Sequence, residues 1–171
     1  MKKLILALTL ALLLALAVGT GVANASHSDQ GNSTGPPKDF AVGGGKHTDP
    51  ANPDVRIQFA FSAHSGPQGE NPKGNIQLFF PDGVVHAEVT CVIVEENEAF
   101  ITGVSDEIDG GIVVIHAVDN GEPSDGQPDL LRGSFQPFIF EDPEQPGCFR
   151  PILEPVPVTQ GNIVVRDGQP M

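Results

Sequence analysis

The chain has 171 residues, 20 of them Gly and 16 Pro, no Trp or Tyr, and a formal net charge of −13. That charge repels phosphate backbones and anionic bilayers, which excludes nucleic acid and anionic membrane surfaces as partners. Divalent cations and basic surfaces remain as chemistry the chain can attract, beside the plainer role of keeping a secreted protein dispersed.

Residues 1–25 read as a signal peptide: Lys2 and Lys3, an apolar run over 4–18, and the small-x-small site Ala23-Asn24-Ala25. No Cys follows at the cleavage point, and no second apolar span of about 20 residues exists, so no membrane span is expected after signal removal. The expected location is secreted, in the extracellular space. Residues 26–38 are polar and shaped only by Gly and Pro, a disordered N-terminal segment.

The secreted β-domain is expected over 39–168. A short strand at 39–42 runs into Gly43-Gly44-Gly45, which lacks the Lys-Ser/Thr and helix of a phosphate cradle. Period-two alternation marks 55–63, with Val55, Ile57, Phe59 and Phe61 on one face, and then 75–80. Pro81-Asp82-Gly83 turns the chain into a strand over 84–94, which places Val85, Ala87, Val89, Cys91 and Ile93 on one face. Its length predicts a bulge or bend. A hairpin at 95–98 leads to a strand at 99–104, a polar loop at 105–111 and a β-branched run at 112–118 that suits burial on both faces. An acidic turn over 119–128 precedes a strand at 129–135. The Pro-rich stretch 136–160 shows no periodicity and reads as a long strap, and 161–166 is the last strand.

No helix pattern appears, so the fold class is all-β: a single antiparallel domain of about eight strands, closed as an up-and-down barrel or packed as a sandwich. In a strict meander the loops near 64–74, 95–98 and 119–128 share one end. That end would gather Glu70, Glu95, Glu96, Glu98, Asp119, Glu122 and Asp125 into one acidic rim. Cys91 and Cys148 are the only cysteines in an exported chain, so a disulfide is expected. Cys91 lies towards the acidic rim, whereas the strap carrying Cys148 starts from the opposite end. Either the strap folds back along the domain or the meander is broken.

Several phrases together resemble a family of secreted, mostly actinobacterial β-domains of unknown function. They are Gly43-Gly44-Gly45, 61–67 (FSAHSGP), Val89-Thr90-Cys91, 118–123 (VDNGEP) and 158–163 (VTQGNI). The resemblance spans roughly 39–168. It implies an all-β fold and supports pairing Cys91 with Cys148, and it implies no activity.

Asp119, Asn120, Glu122, Asp125 and Asp129 offer hard oxygen ligands on a Gly-containing loop, as calcium prefers, and a structural Ca²⁺ is the one cofactor considered. Their spacing departs from the EF-hand pattern. The competing reading is a hairpin turn whose Asp119 and Asn120 bond local backbone while Gly121 takes positive φ. The five His lack zinc-ligand spacing, and His64-Ser65 lacks a nucleophile elbow or oxyanion element. The leading expectation is a non-enzymatic interaction module for an extracellular protein or cell-envelope component. The alternatives are a small hydrolase or isomerase working at a barrel mouth, and a protease-inhibitor-like binder presenting the strap 136–160.

Overall fold

The computed structural model describes residues 38–108, 111–122 and 126–168. The signal-peptide reading of 1–25, nearly all of the lead-in and Asp125 lie outside these residues. Ten strands are present: β1 (Asp39–Asp49), β2 (Asn52–Ser65), β3 (Lys73–Phe80), β4 (Gly83–Glu95) and β5 (Glu98–Val104) come first. They are followed by β6 (Ile112–Val118), β7 (Leu130–Phe135), β8 (Ile139–Glu141), β9 (Phe149–Pro151) and β10 (Val156–Arg166). No helix among the described residues is long and apolar enough to cross a membrane.

Eight strands close a barrel in the order β1-β10-β7-β6-β5-β4-β3-β2, and β8 and β9 form a separate two-stranded sheet. Every ladder is antiparallel, so the choice between barrel and sandwich resolves to an up-and-down barrel. Strands β1 to β7 form an unbroken meander, which places the connections at 66–72, 96–97 and 119–129 at one end, here the acidic end.

Alternate residues of each strand fill the interior. Phe59, Phe61, Ile76, Leu78, Ile101, Val113, Ile115, Leu131 and Ile163 are each at most 3% exposed and form one core. Burial of such side chains supplies most of the drive to fold, roughly 1.5–3 kcal/mol for each large apolar group.

Three features depart from the sequence reading. First, β1 does not stop at Val42 but continues through the three glycines to Asp49. A Cβ on Gly43 would stand 2.7 Å from the Phe61 ring, and one on Gly45 would collide with the Gln160 carbonyl. The triple Gly therefore lets β1 lie close to β2 and β10 rather than opening a loop. Second, the register of β4 shifts between Val89 and Cys91. This is the expected bulge, and it splits the single apolar face proposed for 84–94. Ala87, Val89 and Val92 stay in the barrel core, while Cys91 and Ile93 turn outward and pack with Phe100 and Cys148. Third, the last strand begins at Val156 rather than Gly161, because Val156 and Pro157 pair with Leu131 and Leu130 of β7.

The strap folds back. It leaves the open end after β7, runs along the outer face through β8, reaches Cys148 near the acidic end and returns through β9. Cys91 and Cys148 form a disulfide with their Cα atoms 5.4 Å apart. Phe149 N donates to Thr102 Oγ1 (2.9 Å), and the Arg150 guanidinium lies 4.0 Å from the Phe100 ring centroid. Arg150 also joins Asp142 through Nε (2.6 Å) and Glu95 through Nη2 (2.6 Å). Contact with β9 buries the outer side of β6, which explains why Val114 is fully buried although Val113, Ile115 and Ala117 face the interior. Phe138 and Phe140 of the strap are 50% and 47% exposed. At the acidic end Gly168 N donates to Asp39 Oδ1 (2.9 Å), joining the last described residue to the first strand.

Candidate binding cleft at the acidic end

The acidic turn does structural work at the seam of the barrel. Beyond Val156 and Pro157, β10 keeps one backbone bond on its β7 side, from Val158 N to the Asp129 carbonyl (2.8 Å). Its later outward amides are met by side chains instead: Ile163 N donates to Asp129 Oδ2 (2.7 Å) and Val165 N to Asp119 Oδ2 (3.0 Å). The remaining carboxylate oxygens hold the turn itself. Asp119 Oδ1 accepts from Gly121 N (2.9 Å), and Asp129 Oδ1 accepts from Asn120 N (3.0 Å). Asn120 Nδ2 donates to the Pro128 carbonyl (2.7 Å), and Gly121 takes a φ of 95°. These are the local backbone bonds of the hairpin reading. Glu122 is exposed. Among the described residues no group of three or more His, Cys, Asp or Glu is arranged to hold a metal ion.

The other rim carboxylates have divided roles. Glu95 is paired with Arg150, and Glu98 Oε2 lies 2.9 Å from His116 Nε2. His116 in turn stacks on Phe100, with ring centroids 4.4 Å apart. Glu70 Oε2 accepts from Gln68 N (2.9 Å), which shapes the 66–72 loop. Glu96 sits at the tip of the β4–β5 hairpin with a φ of 59° and is exposed.

Beside this rim lies a cleft of about 610 Å³ between the 66–72 loop, the distal half of β4 and the strap tip. It forms because the β3–β4 ladder ends at Asn75 and Glu88, so β4 runs on to Glu95 without a strand on that side. Pro67, Gly69 and Pro72 border one wall, and Gln145, Pro146 and the disulfide border the other. Two carboxylate residues, Asp39 and Glu95, complete the lining.

Asp39 is the lining residue that the sequence reading did not single out. It starts β1 and is only 4% exposed. Burial is the main cause that pushes its carboxyl above the ordinary 3.8; Asp167 and Glu70 push the same way, and the Gly168 amide opposes them. Nothing in a period-two pattern distinguishes an Asp at a strand start from a solvated one, because its hydrogen-bond partner Gly168 lies 129 residues away.

His64 and Ser65 do not form a nucleophile pair. Ser65 is buried and its Oγ has no hydrogen-bond partner. No family model, curated protein or solved structure matches the chain.

Proposed function

We propose that the domain is an extracellular, non-enzymatic binding module whose acidic-end cleft takes a cationic segment of a protein partner. The observation that carries this reading is Asp39, a buried carboxylate whose charge costs the fold, at the margin of an open cleft. A group kept in an unfavourable ionisation environment beside a cleft is a candidate for a functional site. A Lys or Arg side chain entering there would be attracted by Asp39, with Glu70 and Asp167 adding to the field. Pro67, Pro72, Pro146 and the disulfide fix the backbone of the walls, which lowers the ordering cost when a ligand enters. Export, read from the N-terminal signal, is part of the same proposal and fits a disulfide-bonded fold.

The test is calorimetric titration with a short Lys- and Arg-containing peptide and with its Glu-substituted counterpart. Saturable binding of the basic peptide, weakened about tenfold by Asp39→Asn and reduced by added salt, supports the reading. Equal heats for both peptides, or unchanged affinity in Asp39→Asn, would overturn it.

A further inference from the structure

The open end of the barrel carries a second site of different character. A cavity of about 270 Å³ lies there, between the ends of β1 and β7 and the start of the strap's return. That is roughly the volume of nine water molecules in the liquid, room for a ligand of about ten non-hydrogen atoms. Four polar side chains line it: His47, Asp49, Arg132 and Ser134. Ser134 is 3% exposed, and its Oγ has no hydrogen-bond partner among the described residues. Arg132 Nε is likewise buried without a partner. Among the described residues Arg132 forms no ion pair, unlike Arg150, which is held by two carboxylates. His47 is 3% exposed, and its Nδ1 donates to the Thr48 carbonyl (3.1 Å), which leaves Nε2 as the acceptor of the neutral ring.

Buried polar groups are normally satisfied, and leaving a donor unmade costs on the order of 1–3 kcal/mol. Two orphan donors on residues that line one cavity therefore offer a place for acceptor oxygens. The remaining walls are apolar: Phe80 and Phe135, whose rings are 6.1 Å apart, with Ile57 and Leu153. Phe138 stands at the mouth, half exposed. An aromatic and aliphatic wall with a few fixed polar groups is the usual make-up of a small-molecule site.

We infer that this cavity binds a small amphipathic carboxylate, with its oxygens on Arg132 and Ser134 and its hydrocarbon part against Phe80, Phe135 and Leu153. Asp49, also at the cavity, is engaged by the Ala51 amide through Oδ1 (2.9 Å). Acidic residues farther off than the Debye length of about 8 Å are screened at physiological salt, and Asp49 is the acidic residue that lines the cavity itself. The guanidinium governs at contact distance. This goes beyond the peptide-binding reading, because it concerns the opposite end and a different ligand class.

The probe is octanoate, compared with octanol, titrated into the intact protein by calorimetry and by backbone amide shifts. One saturable site for octanoate is expected, with octanol at least about tenfold weaker. Arg132→Gln should remove that preference. Leu153→Glu, at a position 37% exposed, should weaken octanoate more than octanol, because it adds a negative charge to the loss of apolar wall that both ligands feel. Asp39→Asn, at the acidic end, should leave octanoate binding unchanged, which separates this inference from the peptide reading. Equal affinity for acid and alcohol would overturn it. So would retained preference in Arg132→Gln, or no saturable binding up to about 10 mM.

Discussion

Two buried titratable residues on β1 set opposite demands on pH. Burial holds the His47 imidazole below its ordinary 6.5 and outweighs the Thr48 carbonyl and Asp49, which act the other way. The unfolded chain then binds more protons than the folded one once pH falls through 6.5, so acidification below that value destabilises the fold. His47→Gln is expected to flatten the slope of stability against pH between 6.5 and the lowered folded value, read from urea melts across that range. Asp39 has the reverse sign. Its folded-state value lies above 3.8, so stability is lost as pH rises from 3.8 through that raised value. Asp39→Asn, whose amide oxygen still accepts from Gly168, should melt higher than the parent at neutral pH, with the gap closing below 3.8. A substitution that both stabilises the fold and weakens peptide binding is the signature of a residue kept for function at a cost to stability. A lower melting temperature in Asp39→Asn at neutral pH would contradict this account.

Among the elements, β10 depends on its neighbours in an unusual way. Its first residues pair with β7 and its later ones with β1, and on the other edge of that later stretch Asp119 and Asp129 accept the Val165 and Ile163 amides that no ladder meets. Removing the Asp129 carboxylate strands the buried Ile163 amide and the Asn120 amide together. Hydrogen bonds to charged groups contribute about 1.5–3 kcal/mol each, so Asp129→Ala should destabilise by about 3 kcal/mol or more in denaturant melts. Gly45→Ala acts on the facing strand. The added methyl meets the Gln160 carbonyl, a backbone atom that cannot rotate away, and the expected loss is about 1–3 kcal/mol, with faster amide exchange along β1 and β10. The strands themselves were legible from alternation, as at Phe59 and Phe61, and so was the local bonding of the acidic turn. The β4 bulge was expected, but its consequence was not, since one extra residue sends Cys91 and Ile93 outward. Nor does the sequence show that Asp119 and Asp129 reach Val165 and Ile163, because a side chain's partner 46 or 34 residues away leaves no local pattern.

Across the whole molecule, the strap turns a plain barrel into one with a covered side. The disulfide closes a separation of 57 residues, for which the chain-entropy account gives about 4 kcal/mol. Replacing both cysteines with Ser should lower stability by about that amount, measured by thermal and urea melts. Hydrogen exchange should show the loss concentrated in 139–151 and in the outer side of β6, where Val114 depends on β9 for its burial. Uniform exchange across all strands would mean that the strap is held by Arg150 and Phe149 without help from the disulfide.

The bond between Gly168 and Asp39 places both ends of the described chain at one pole of the barrel. Joined at either end to a larger assembly, the domain would be held like a lamp on a single stem. Its open end, with the cavity beside Arg132, would then point away from the attachment. The acidic cleft would sit beside the stem, where a neighbouring segment of the same assembly is always within reach.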